Sequence, residues 1–203
     1  MNIPNKLTIV RIIVAFIFMG VLVSSIPLKG VMAFVLFAVA CLTDFYDGKI
    51  ARERNIVTNF GKLIDPLADK ILISAALISF VQMPDTRVAM NGIVRYFVPA
   101  WMVVVIIGRE FAVTGIRLLA ASKGKVISAG KGGKHKIISQ IVAISTILLF
   151  LAAKEVLTTF FSWDNRVDYY FAFVSFFLVF IAMILSLLSG FFYLRDNKDL
   201  FLN

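Results

Sequence analysis

The chain has 203 residues, 60% hydrophobic and 16% charged, with a formal net charge of +9 at pH 7. Soluble domains carry about 45–50% apolar and about 25% charged residues, so this balance, with a mean hydropathy of +0.92, excludes an ordinary soluble enzyme and points to an integral membrane protein. A span takes about 20 residues; five or six spans therefore use up 1–203 as a single membrane domain, and the one cysteine, Cys41, excludes an intrachain disulfide.

Residues 2–11, NIPNKLTIVR, are polar and then amphipathic. They read either as a short interfacial helix feeding the first span or as an ordinary cytoplasmic flank. Apolar runs follow at 7–26, 31–42, 71–83, 93–107, 137–153 and 169–193. The second and third reach spanning length only if the polar stretch between them extends both helices, to 30–52 and 59–83. The fourth extends through Arg109 and Glu110 toward Ala121. The expectation is an all-α membrane protein of six transmembrane helices with an amino-terminal interfacial helix. Breaks are expected at 27–30, 54–58, 84–85, 123–133 and 163–168. No small-residue cleavage motif follows the first run, as a signal peptide would require, and there is no internal repeat.

Lys and Arg accumulate in cytoplasmic loops. Sixteen of the 21 lie in the amino-terminal segment, the second and fourth connections with their flanks, or the carboxyl tail. Six spans with both termini cytoplasmic put all of these on one side. A nucleic-acid partner is not expected, because the cations alternate with full spans instead of gathering on a soluble domain. His135 reads as a solvated loop residue, and the 20 Phe as packing and lipid-facing groups.

The stretch CLTDFYDGKIARERNIVTNFGKLIDPLADK places four carboxylates, Asp44, Asp47, Asp65 and Asp69, at the edge of two apolar runs. Spacings of three and four put each pair on one helix face. Charge is costly there, about 2.5–3.5 kcal/mol per residue at a helix centre and less near the interface. Close carboxylates also repel and tend to protonate. Divalent cations relieve both, and hard oxygen ligands suit Mg²⁺ or Mn²⁺, not Zn²⁺. Two such ions about 3.5–4 Å apart can share these ligands. Gly48 and Gly61, each costing about 1 kcal/mol against alanine inside a helix, read as close approach of a ligand or as tight helix packing. Ala51 is small, and Arg52 can hold a phosphate. Pro66 is expected to remove one backbone hydrogen bond and allow a kink.

The pattern Asp44-x2-Asp47-Gly48-x2-Ala51-Arg52-x8-Gly61-x3-Asp65-x3-Asp69 resembles, at every fixed position, the signature of the CDP-alcohol phosphotransferase family. The segments NIPNKLTIVR and GREFAVTGIRLLAASKGKVISAGKGGKHK are similar to those of the bacterial phosphatidylglycerophosphate synthases within it. The likeness runs from Asn2 to about Lys136, beyond which only hydrophobicity agrees. It implies transfer of phosphatidyl from CDP-diacylglycerol to sn-glycerol 3-phosphate, with CMP released. It further implies that Asp44, Asp47 and Asp65 hold metal, that Asp69 lies near a second metal as general base, and that Gly48, Ala51, Arg52 and Gly61, with Asp44, line the CDP site. The family fold is six transmembrane helices with an interfacial amino-terminal helix, usually as a homodimer in the cell (inner) membrane with a cytoplasmic active site.

A phosphorylated acceptor needs cations beside the metals. Arg109 and Arg117 are eight apart, about two turns, and share a helix face; both interrupt an apolar helix. Lys131 and Lys134 lie in the glycine-rich SAGKGGKHK, and Thr8 and Arg11 are candidate helpers. Glu110 is expected to neutralise one arginine, and Lys123, Lys125 and Lys136 to mark the cytoplasmic side. Rival acceptors are inositol phosphate, a second lipid such as phosphatidylglycerol, and serine. A rival of another class is a divalent-cation transporter, which more often has midplane sites and inverted repeats.

Overall fold

The computed structural model describes the backbone over residues 3–53, 59–90, 93–122 and 132–197, and side chains over 8–43, 68, 70–89, 96–118, 120 and 133–197. Six helices account for nearly all of it: α1 (Ile3–Val23), α2 (Lys29–Glu53), α3 (Asn59–Gln82), α4 (Ala100–Ser122), α5 (Gly132–Phe160) and α6 (Asn165–Asp196). Between α3 and α4 a 3₁₀ turn, Pro84–Thr86, leads into an antiparallel hairpin of β1 (Arg87–Met90) and β2 (Ile93–Tyr96), with Arg87 opposite Tyr96 and Met90 opposite Ile93.

Long apolar segments form helices because a helix satisfies its own backbone hydrogen bonds where water is scarce. The acidic stretch does extend both neighbours: α2 runs on to Glu53, and α3 begins at Asn59 and continues through Pro66. Two expectations are corrected. The expected interfacial helix is not a separate element, since Ile3–Val23 form one unbroken helix. The fourth helix does not begin near residue 93, because 93–96 pair as a strand. Ile93 and Val94 are β-branched and favour that pairing, while Pro99 fits immediately before a helix and resists being inside one. The corner is tied by Thr86, whose hydroxyl donates to Phe80 O at 2.5 Å and to Met83 O at 2.7 Å, and whose own carbonyl accepts from Phe97 N at 2.9 Å. The expected break at 54–58 lies outside the described residues, as does that at 123–133 up to residue 131, with Gly132 and Gly133 already in α5.

The helices close a ring. α1 packs on α2 and α3, α2 on α5, α5 on α6, α6 on α4, and α4 on α3. Its interior is filled by Phe18, Phe37, Phe80, Met102, Ile106, Ile144, Ile147 and Leu148, all buried. The outside is apolar too: Ile13, Phe16, Val104, Phe111, Leu149 and Phe177 are exposed. A helix apolar all round belongs to a core or to a membrane. Among the described residues, two helices, over Gly133–Phe160 and Asn165–Asp196, are long and apolar enough to cross one.

Polar contacts identify the two ends of the ring. At one end Lys29 pairs with Asp85 at 2.7 Å, and Asp168 accepts from Lys154 Nζ at 2.6 Å and Trp163 Nε1 at 3.0 Å. Beside them Phe150 stacks on Phe171, ring centroids 3.7 Å apart, with Phe97 edge-on to Phe171. Here α2 starts after Leu28, whose φ is +57°, and Gly30 N donates to Glu155 Oε2 on α5 at 2.8 Å. A side chain at position 30 would meet the α5 backbone, Ala152 N and Leu151 C, at 2.9 Å each. Gly30→Ala should therefore force α2 from α5 and cost about 1–3 kcal/mol, measurable as a lowered unfolding temperature in detergent.

Candidate functional site

The opposite end of the ring gathers the candidate residues. The carboxyl-terminal half of α2 carries Asp44, Asp47, Gly48, Ala51 and Arg52, and the amino-terminal half of α3 carries Gly61, Asp65 and Asp69. All eight are helical, so the spacings of three and four hold on continuous helices and each acidic pair shares a face. Their side chains, and all of Lys131, lie outside the described residues. The donor set itself is of one kind, four carboxylates, and suits a hard divalent ion.

Facing the same end are the last turns of α4 and α6 and the first turns of α5. Their centre is Glu110. Its Oε1 accepts from Arg109 Nη1 at 2.9 Å and from Lys136 Nζ at 2.5 Å; its Oε2 accepts from Lys136 Nζ at 2.6 Å. Ser186 Oγ on α6 donates to Oε1 at 3.5 Å, the longest of these contacts. The three charged side chains are 8% (Arg109), 14% (Glu110) and 9% (Lys136) exposed. In so enclosed a place a charge is tolerated only when paired and hydrogen-bonded.

Arg109 stretches across from α4 to α6, where Nη2 donates to Ser189 Oγ at 2.9 Å. It crosses directly over Gly190, where a Cβ would meet Arg109 Nε at 2.9 Å and Cγ at 3.1 Å. This glycine is a notch for the guanidinium. Two turns further along α4, Arg117 is exposed, with its guanidinium 5.3 Å from the centroid of the buried Tyr193 ring. That is a cation–π contact. Lys134 is exposed on the first turn of α5. Thr8 and Arg11 are buried on α1. Lys70, next to Asp69, donates its ammonium to Thr114 Oγ1 on α4, and Thr114 Oγ1 donates to Glu110 O at 2.8 Å.

Arg109 and Arg117 thus lie on one helix but differ in character: one is enclosed and paired, the other is exposed. Glu110 takes two cations, not one. Lys136, read as a mark of sidedness, is instead a buried ion-pair member. Its signal was legible in part, because it stands at the edge of an apolar run where a bare ammonium is costly.

Residues 1–188 match the family model of CDP-alcohol phosphatidyltransferases. The chain belongs to the CDP-alcohol phosphatidyltransferase family. It is 46% identical over 160 residues, 73% of this chain and 77% of the relative, to the CDP-diacylglycerol–glycerol-3-phosphate 3-phosphatidyltransferase of Bacillus subtilis (strain 168). It is 37% identical over 154 residues, 74% of this chain and 68% of the relative, to a probable phosphatidylglycerophosphate synthase of Mycobacterium tuberculosis (strain ATCC 25618 / H37Rv). A Rickettsia bellii (strain RML369-C) protein with the same name as the Bacillus one is 30% identical over 200 residues, 98% of this chain and 97% of that one. Family membership and the apolar helices mark a membrane protein. The family is generally dependent on a divalent metal.

Removing the carboxylate at the centre of the network would strand two enclosed cations. Breaking a buried pair in this way costs about 3–5 kcal/mol. Glu110→Ala should lower stability by about 3 kcal/mol, read from thermal unfolding in detergent, while Glu110→Gln, which keeps an acceptor oxygen, should lose less.

Proposed function

We propose that the chain transfers phosphatidyl from CDP-diacylglycerol to sn-glycerol 3-phosphate, releasing CMP and giving phosphatidylglycerol phosphate. The observation that carries this is the eight-position motif, laid on two continuous helices of a family member.

The acceptor hydroxyl attacks the phosphorus that bears the diacylglycerol. A new P–O bond forms, the pyrophosphate P–O bond breaks, and CMP leaves with the electron pair. The attacking hydroxyl has to lose its proton. Asp69 accepts it, as a carboxylate in hydrogen-bond reach can. No covalent enzyme intermediate is needed, so the work of the protein is positioning and electrostatics. Asp44, Asp47, Asp65 and Asp69 would hold two divalent ions, Mg²⁺ or Mn²⁺, whose charge, once bound, offsets that of the pyrophosphate and the departing CMP. Gly48, Ala51 and Gly61 leave space for the nucleotide, and Arg52 meets a phosphate.

The acceptor phosphate is taken by cations of α4 and α5. Arg117 is the leading candidate, because its forked guanidinium suits phosphate and the residue is exposed. Lys134 and Lys131 add charge from the start of α5 and the loop before it. Arg109 supports the pocket from its enclosed position, with Thr8 and Arg11 from α1. The bundle crosses the inner membrane six times, with both termini and the active site cytoplasmic, and works as a homodimer. The long, apolar α5 and α6 and the apolar outer face of the ring support a membrane setting, and the clustering of Lys and Arg supports cytoplasmic termini.

Purified protein in mixed micelles, given CDP-diacylglycerol, Mg²⁺ and single acceptors, should release CMP with glycerol 3-phosphate. Release with inositol phosphate alone would reassign the acceptor. Asp69→Asn should lower the rate by about 10²-fold or more, and a chelator should abolish it. Arg117→Gln should raise KM for glycerol 3-phosphate about tenfold, the effect of about 1.4 kcal/mol of lost binding, and leave KM for CDP-diacylglycerol near its original value.

A further inference from the structure

One polar contact joins α3 to α4 beside the acidic motif. Lys70 follows Asp69 directly, and its ammonium donates to Thr114 Oγ1. Thr114 lies on α4 between Arg109 and Arg117. Its hydroxyl hydrogen is committed to Glu110 O at 2.8 Å, so its lone pairs are what Lys70 meets. Glu110 in turn binds Lys136 of α5, and Arg109 binds Ser189 of α6. A chain of hydrogen bonds therefore runs from α3 through α4 to α5 and α6. Between helices in lipid, apolar contact gives little directional hold, because the tails are as apolar as the side chains; hydrogen bonds and close packing supply it. A hydrogen bond also fixes depth and rotation, which apolar packing leaves softer.

We propose that Thr114 is a positioning residue: by gripping Lys70 it sets the depth of the α3 turn that carries Asp65 and Asp69 against the α4 face that carries Arg109 and Arg117. This inference rests on the reading of Asp69 as base and Arg117 as acceptor-phosphate ligand. One group would then hold the acceptor at its phosphate and the other at its hydroxyl. The Thr114–Lys70 bond is the gauge between them. Displacements of about 1 Å in such a pair can cost about 10²-fold in rate.

The test uses two substitutions that separate the hydroxyl from the shape. Thr114→Val keeps the branched outline and removes the oxygen; Thr114→Ser keeps the oxygen and removes the methyl. Full-length protein is measured in two ways: hydrogen–deuterium exchange of α3 amides around Lys70, and steady-state CMP release. In Thr114→Val, exchange should speed up about tenfold and kcat with glycerol 3-phosphate should fall about tenfold or more, with KM for CDP-diacylglycerol within about twofold. Thr114→Ser should stay near the original protein in both. Unchanged exchange in the valine variant would overturn the tie, and faster exchange with unchanged kcat would overturn the positioning role. A serine variant as impaired as the valine one would mean that the methyl, not the hydroxyl, is what acts, and would overturn the proposal as well. If the unaltered protein releases no CMP with glycerol 3-phosphate, the functional reading falls, and the exchange measurement alone still decides the tie.

Discussion

A charged group inside an apolar bundle must find its counter-charge within a few ångströms or not be charged at all. The whole arrangement of this chain follows from that demand. Glu110 meets it for Arg109 and Lys136 at one end of the ring, and Asp168 meets it for Lys154 at the other. The Lys136–Glu110 pair joins α5 to α4 and the Lys154–Asp168 pair joins α5 to α6, so these contacts settle the charge and also set helix against helix. The four aspartates of α2 and α3 pose the same demand with no equal number of cations among their own motif positions, where Arg52 is the one base. On the proposed reading, bound divalent cations would answer it and turn a costly concentration of like charge into a binding site.

The two ends of the ring are built to different purposes. At the hairpin end, stacked aromatic rings, the Lys29–Asp85 pair and the direct contact of Gly30 with the α5 backbone make a tight, fully furnished junction. At the motif end, glycine, alanine and serine recur, and exposed cations stand beside enclosed ones. The hairpin end ties helix to helix, while the motif end carries the charged residues of the proposed site.

Much of this was legible beforehand. Apolar runs too short to span alone, flanking a motif with helical spacing, specified that α2 and α3 extend through the acids, and they do, to Glu53 and from Asn59. The hairpin at Arg87–Tyr96 was hidden because its apolar residues merge with those of α4, and hydropathy does not separate a β-branched pair from the start of a helix. Pro99 was the sign of the boundary. The role of Lys136 was hidden for another reason: a lysine among lysines looks like a topology mark, and only the fold brings Glu110 to it across 26 positions. The Lys70–Thr114 contact was equally out of reach, since neither residue belongs to the eight-position motif.

The notch at Gly190 has an evolutionary consequence. What that position may become is decided by the length of the side chain at 109, on another helix. Drift at either site is therefore conditional on the other: a shorter group at 109 would free position 190 to acquire a side chain, and would at the same time orphan the hydroxyl of Ser189. Lineages that abandon the arginine should be the ones in which the glycine is also relaxed.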